Sequence, residues 1–416
     1  EEGVEKNYFC KREDGSDFVS AVWPGWTHFP DVLNADARAW FGQKYERLIS
    51  KGIDGFWNDM NEPAMFCTPE GVAELKEYIK DNFMDKEEAP GFTLGDKVNA
   101  LANNPEDYKR FYHNVNGQKI RHDKVHNLFG YYMTRSASEA FERYVPEKRI
   151  LLFSRASYIG MHRFGGIWQG DNASWWSHLK MNVKMMPSLN MCGFLYTGAD
   201  VGGFGADATE DLVLRWLEFA VFTPLLRNHS ARGTRRQEVY RFSHVEKFAD
   251  VIGVRYQILP YIYSEYMKAA LRNTMMFNPL AFLYGEDALA GQVEDQLFIG
   301  ENVMVAPVCE QNMSGRVVYF PERMKQLIFK NGIVEEGKVY EKGFSYVEMP
   351  MGTVHVFLRE GYLFPVAKGG KCVEDVDFED LTLYSFGEEI KPYEYYLDDG
   401  ETKDFTIESH IRMLSC

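Results

Sequence analysis

The chain has 416 residues, more than one ordinary domain needs, so it can bury a large core. Its formal charge of −15 argues against nucleic acid and anionic membrane as partners, and no apolar run approaches the ~18 residues of a membrane span. An aromatic content of 15% suits a sugar-binding enzyme and equally a dense core, so it excludes nothing.

The first residues, Glu1 to Lys6, are polar and carry no signal-peptide pattern. Six cysteines, at 10, 67, 192, 309, 372 and 416, lack paired or metal-type spacing and read as free thiols of a reducing compartment, which points to the cytoplasm. Residues 34–50 have the pattern of an amphipathic helix with Asn34 as N-cap. A short, largely apolar strand follows at 53–57. Between Cys67 and about His126 a long charged stretch reads as an insertion over the mouth of the fold, with some helix of its own. Further short strands are expected at 149–153 and 192–197, and helices at 177–186, 211–221 and 246–270. Alternating strands and helices, with polar motifs at each strand end, mark a (β/α)₈ TIM barrel. From about Gln296 the period becomes two, at 297–299, 302–305 and 316–320, as in an antiparallel β-sandwich. The expected domains are a barrel at 1–293 with its insertion at 67–126, a proximal β-sandwich at 294–370 and a distal β module at 371–416.

Two segments carry chemistry. In Gly55-Phe56-Trp57-Asn58-Asp59-Met60-Asn61-Glu62-Pro63 an acid sits where a strand gives way to a loop, the place where parallel α/β proteins keep their reactive groups. Taken alone, Asp59 could be a loop-capping residue. In Gly165-Gly166-Ile167-Trp168-Gln169-Gly170-Asp171-Asn172 a second acid follows a Gly-rich aromatic turn, and Asp171 or Asn172 could simply cap the next helix. Together the two acids, 112 positions apart, suggest carboxylates facing each other across an aromatic cleft suited to a sugar.

These segments occur in order with Val22-Trp23-Pro24-Gly25, Ser154-Arg155-Ala156-Ser157, Gly198-Ala199-Asp200-Val201-Gly202-Gly203-Phe204, Arg227-Asn228-His229-Ser230 and the stretch from Asp295-Gln296 to Val305-Ala306-Pro307-Val308. The set resembles an α-glucosidase of glycoside hydrolase family 31, close to bacterial and intestinal-type maltases and isomaltases, from about residue 5 to about 400.

The resemblance implies a retaining mechanism with Asp59 as nucleophile and Asp171 as general acid/base, Glu62 being the alternative nucleophile. Retention requires carboxyl groups roughly 5–5.5 Å apart, a spacing at which an ionised carboxylate keeps its neighbour protonated. It further implies that Arg155 hydrogen-bonds the sugar and orients an acid. Trp57 and Trp168 would wall the pocket, Met60 and Phe204 line it, and Asp200 and His229 bind glucose hydroxyls. The Trp-Asn-Asp-Met-Asn-Glu form around Asp59 matches the glucosidase pattern, not the Lys-Thr-Asp-Phe-Gly-Glu of α-xylosidases. Exo-acting release of terminal α-glucose from short oligosaccharides is therefore expected. The alternatives are an α-xylosidase, transglucosidase or glucan lyase of the same family, or a non-catalytic carbohydrate-binding fragment. No cofactor or metal is implied: His122 and His126 lie four apart, but Asp123 would point off their shared face and no third ligand accompanies them. In this family the strand before the nucleophile is the fourth of the barrel, and only about fifty residues precede it here. The front strands, absent from this chain, are expected from an N-terminal part of the same enzyme.

Overall fold

The computed structural model describes residues 1–84 and 91–416, which form two compact units, 1–166 and 167–416. The expected insertion includes six residues, 85–90, that lie outside the described set.

In the first unit a tight hairpin, β1 (Val19–Val22) and β2 (Gly25–His28), precedes α1 (Ala35–Ile49). Asn34 caps α1 as expected, its side chain accepting from the N–H groups of Asp36 and Ala37 at 3.0 Å. Next comes β3 (Gly55–Asn58). It is not buried on both faces: Phe56 and Asn58 point inward, while Trp57 is 38% exposed. The stretch after Cys67 contains α2 (Pro69–Asn82), α3 (Gly91–Asn99) and the hairpin β4 (Tyr112–Val115) and β5 (Gln118–Arg121). Helix α4 (Leu128–Tyr144) then leads to β6 (Leu151–Ser154), which pairs parallel with β3 in the register Gly55↔Leu151 to Asn58↔Ser154. Phe56, Ala137, Phe141 and Leu152 make the small core between this pair and α4. A second core of Cys10, Phe18, Phe29, Phe111 and Phe129, among others, fills the space around the hairpins.

The second unit begins with α5 (Trp176–Met191), β7 (Asp200–Val201), α6 (Glu210–Ala220), β8 (Arg227–Asn228) and the long α7 (Val245–Arg272). Strands β7 and β8 pair parallel. The strand expected at 192–197 does not form. Phe194 N–H returns to Leu189 O at the end of α5, with Gly193 in the left-handed region. Tyr196 O then accepts from Ile167 N–H at 3.1 Å and Thr197 O from Leu225 N–H at 3.2 Å. An apolar run of that length fits a strand or an irregular crossing equally well, and periodicity cannot separate them.

The alternating part is antiparallel, as its period of two requires. Strands β9 (Phe277–Pro279), β10 (Leu297–Ile299), β11 (Val303–Val305), β12 (Gly315–Phe320), β13 (Met324–Lys330), β14 (Ile333–Tyr340), β15 (Gly343–Glu348) and β16 (Val354–Arg359) follow in sequence. Six of them form one sheet in the order β9-β10-β11-β16-β13-β14, and β12 pairs with β15. Strand β17 (Leu363–Ala367) pairs with β18 (Leu381–Ser385), and β19 (Tyr393–Tyr396) with β20 (Ile411–Leu414). The main core of this unit joins α6 and α7 to the six-stranded sheet through residues such as Trp216, Ile258, Leu327 and Val356. Among the described residues no helix is long and apolar enough to cross a membrane.

Candidate functional site

The sequence-predicted residues fall into two groups, one in each unit. In the first unit the register of β3 against β6 places Asp59 and Arg155 immediately beyond paired strand ends, and Arg155 N–H donates to Asn58 O at 3.0 Å. Asn61 ties the two loops together: its side chain donates to Ser154 Oγ at 2.8 Å and accepts from Ala156 N–H at 3.0 Å. Met60 sits at φ +56°, in the left-handed region that costs a side-chain-bearing residue about 1–2 kcal/mol. The Met60 N–H donates to Asp59 Oδ1 at 2.9 Å, so the turn is closed by the proposed nucleophile itself.

Arg155 serves two carboxylates unequally. Its Nε and Nη2 donate to Glu62 Oε1 and Oε2 at 2.7 and 2.9 Å, a bidentate clamp, while Nη1 lies 3.4 Å from Asp59 Oδ1. Both Glu62 oxygens are thereby occupied, and Asp59, 37% exposed at its side chain against 29% for Glu62, is the more available. Trp57 lies parallel to Phe153, 6.1 Å between centroids. Trp23, to which the sequence assigned no role, also belongs here: its Nε1 lies 2.9 Å from Met60 Sδ, its ring packs edge-on to Phe66, and it is 79% exposed. Its signal was the Val-Trp-Pro-Gly turn, whose shape lifts a tryptophan off the β1–β2 hairpin.

In the second unit the frame is Asn172, and neither it nor Asp171 is the cap of α5, because the N-cap position is Trp175. Asn172 is buried, donates to Asn182 Oδ1 and Asp200 O, and accepts from Phe204 N–H at 2.9 Å. Its N–H donates to Gly170 O at 2.9 Å, closing a turn around the exposed Asp171. Gly203 makes the close approach possible: its φ is +93°, and a Cβ there would meet Ser174 N at 2.4 Å. Asp200 is fully buried and paired with Arg227, Nη2 to Oδ1 at 2.6 Å. Burial pushes its carboxyl above the ordinary value, against the pull of Arg227. Its Oδ2 has no hydrogen-bond partner among the described residues, an acceptor suited to a sugar hydroxyl. Arg227, which the sequence reading left without a role, lies 5.5 Å over the ring of Trp168, itself 3% exposed. Phe204 and His229 stack at 5.2 Å. His229 also lines a cavity of about 590 Å³ with Val201, Leu226 and Arg232. Neither Asp171 nor Asp200 faces that cavity, so it is not where a two-carboxylate reaction would take place.

The histidines set aside in the sequence are bonded to one another, His122 Nε2 to His126 Nδ1 at 2.9 Å. A third histidine and two further groups were missed because they are remote in sequence: Cys10, Asp31 and His113 bring three ligand-type atoms within 4.8 Å of one another.

The chain is 31% identical to alpha-glucosidase 2 of Bacillus thermoamyloliquefaciens over 99% of its own length and 48% of that protein. It is 30% identical to an alpha-glucosidase of Saccharolobus solfataricus over 86% of its length and 49% of that protein. Among solved structures it resembles a dextranase of Flavobacterium johnsoniae complexed with glucose, with a TM-score of 0.78, 23% identity, and coverage of 97% of this chain and 47% of that one. The chain thus spans about half the length of the curated relatives it matches. Residues 1–265 match the TIM-barrel domain of glycosyl hydrolases family 31 and residues 273–364 the C-terminal domain of the same family, to which this chain belongs.

Proposed function

We propose that this chain carries both catalytic carboxylates of a retaining exo-α-glucosidase that releases terminal glucose from short α-linked oligosaccharides. Asp59 attacks the anomeric carbon while Asp171 donates its proton to the departing oxygen. Water, deprotonated by Asp171, then releases glucose from the Asp59 ester. Arg155 orients Asp59, and Trp57, Met60, Trp168 and Phe204 form the apolar wall. Asp200, whose buried Oδ2 has no hydrogen-bond partner among the described residues, and His229 bind hydroxyls. The observation that carries the assignment is the clamp of Arg155 on Glu62, which occupies the competing carboxylate and leaves Asp59 beyond the end of β3. Substrate class is supported by relatives named alpha-glucosidase and by a structural neighbour solved with glucose. The two family segments, 1–265 and 273–364, support a barrel followed by a C-terminal β domain, and we propose that residues 371–416 form a further β module. A closed barrel needs more parallel strands than these residues pair, so we propose that further chain, as in the longer relatives, completes it.

The test is labelling with 5-fluoro-α-glucosyl fluoride and peptide mass spectrometry. A label on the peptide bearing Asp59, lost in Asp59→Asn, is expected. A label on Glu62 would overturn the assignment of roles. No label on the complete enzyme would overturn the glucosidase reading.

A further inference from the structure

Four side chains of the first unit, unused by the chemistry above, stand in a row. Asp31 precedes α1 and is 3% exposed; His113 on β4 and His122 after β5 are equally closed off, and His126, two residues before α4, is half-buried. They are joined end to end: Asp31 Oδ1 to His113 Nδ1 at 2.7 Å, His113 Nε2 to His122 Nδ1 at 2.9 Å, and His122 Nε2 to His126 Nδ1 at 2.9 Å. Asp31 Oδ2 accepts from Asn114 N–H at 2.7 Å. Phe111 stacks on His122 at 4.2 Å and Tyr108 lies over His126 at 4.5 Å, so the rings are held in orientation.

Cys10 Sγ is 3.6 Å from His113 Nδ1, which raises the question of a metal. Two ligands on a tetrahedral zinc, with bonds of ~2.0–2.1 Å, stand ~3.3 Å apart. At 2.7 Å, His113 Nδ1 and Asp31 Oδ1 are at the distance of a charge-assisted hydrogen bond with a proton between them.

The direction of that proton propagates. An ionised carboxylate only accepts, so His113 Nδ1 donates, and in a neutral ring Nε2 is then an acceptor. His122 must therefore donate from Nδ1 and accept at Nε2, and His126 must donate from Nδ1 in turn. Burial, with His113 and His126 on either side, pushes the His122 imidazole down to about 2, so the middle ring holds one proton. The row ends with a lone pair on His126 Nε2.

We infer that Asp31, His113, His122 and His126 form a polarised hydrogen-bond row that fixes the Nδ1–H tautomer in all three rings and positions the loop bearing Asp59. The mechanical link is α4, which His126 introduces. Gly130 on α4 packs so closely on the loop that a Cβ there would meet Asn61 O at 2.9 Å and Ala156 Cβ at 2.6 Å. Asn61 binds Ser154 and Ala156, the two neighbours of Arg155. The Glu62 charge also reaches His126, partly offsetting the burial that lowers its pKa. These are positioning residues. Their consequence for turnover rests on the role proposed for Asp59, whereas their tautomers do not.

The test is long-range ¹H–¹⁵N spectroscopy of the ¹⁵N-labelled chain at pH 8, with its zinc content measured and the Arg155 Nε–H signal recorded. Pyrrole-type Nδ1 and pyridine-type Nε2 are expected for all three histidines. In Asp31→Asn, Asn114 N–H holds the amide oxygen, the NH₂ faces His113, and all three tautomers invert to Nε2–H. The Arg155 Nε–H signal moves by more than its linewidth. An Nε2–H tautomer at any of the three rings in the unsubstituted protein, or one equivalent of zinc, would overturn the row. Inverted rings with an unmoved Arg155 signal would overturn the positioning role. If Asp31→Asn does not fold, His126→Asn, which keeps a donor toward His122 and loses the distal lone pair, decides the link: a shifted Arg155 signal supports it and an unchanged one overturns it. The tautomers and the Arg155 signal are read without reference to the labelling of Asp59, so this inference and the proposed function fail separately.

Discussion

The two units hold their acidic residues in opposite ways. In the first, Asp59, Glu62 and Arg155 form a partly exposed array at the ends of two parallel strands, with one guanidinium shared by two carboxylates. In the second, Asp200 is fully buried and pairs with Arg227, which is 19% exposed and lies over the ring of Trp168, and Asn172 braces the Asp200 backbone. A solvent-accessible pair contributes little to stability and is free to serve chemistry, whereas a buried pair resists loss of either partner. The contrast separates groups that react from groups that hold the site in shape.

The largest effect should come from the array of the first unit. In the complete enzyme, Asp59→Asn should lower kcat on an aryl α-glucoside by at least about 10³-fold, because Arg155 holds the competing Glu62 in its clamp. Glu62→Gln keeps a hydrogen-bonding partner for Arg155 and should cost far less. Equal losses in the two variants would mean that the clamp does not distinguish the carboxylates.

Two arginine substitutions then break the comparison directly. Arg227→Met strands Asp200 in the interior and should cost about 3–5 kcal/mol at pH 7, read from denaturant midpoints, whereas Arg155→Met should cost about 1 kcal/mol or less. The pH dependence has a definite sign. Burial raises the Asp200 pKa, so the native state holds that proton more tightly than the unfolded chain, and the contribution of this group declines as pH rises above about 4. Without Arg227 the rise is larger, so the deficit of Arg227→Met should grow from pH 4 to pH 7. A deficit unchanged between those values would show that Arg227 acts by covering Trp168 and not by its charge.

Gly203→Ala probes the scaffold of the second unit. Between the left-handed φ and the overlap with Ser174, the substitution should cost about 2–4 kcal/mol. It should lower thermal stability and move the backbone amide of Ser174, with little change in the first unit. A variant as stable as the parent would mean that the loop yields freely and does not hold Asn172.

How much of this was legible in the sequence follows from the range of the interactions. Asp59 and the end of β3 could be read because a strand, an acid and Pro63 lie within a few residues. The antiparallel region could be read from its period of two. The stretch 192–197 misled because its apolar pattern says nothing about where its backbone bonds go, and they return to the end of α5. Arg227 and Trp23 stood inside recognised motifs, but their partners, Asp200 and Met60, lie 27 and 37 residues away. The row from Asp31 was invisible for the same reason: His113 meets an aspartate 82 residues upstream. Local chemistry is written locally, whereas the bonds that orient it depend on the folded register.

The smallest effect sharpens the comparison from the side of pure stability. Asn34 Oδ1 accepts two N–H groups at the start of α1, and its own N–H donates to the Asp31 carbonyl at 2.9 Å, a backbone bond that a side-chain substitution leaves in place. Asn34→Ala leaves those donors to water and should cost about 1 kcal/mol. Helix α1 leans on α4 where Gly42 meets Ser136, and Ser136 Oγ donates to Arg38 O at 2.7 Å, so some of the loss could reach the loop that α4 supports. If α1 only stabilises the unit, the denaturant midpoint falls while kcat, KM and the Arg155 Nε–H signal stay where they are. A fall in kcat at constant KM, with the protein fully folded, would instead show that the α1–α4 contact helps to set the geometry of Asp59, and the division between reacting and supporting groups would then run through the first unit and not only between the two.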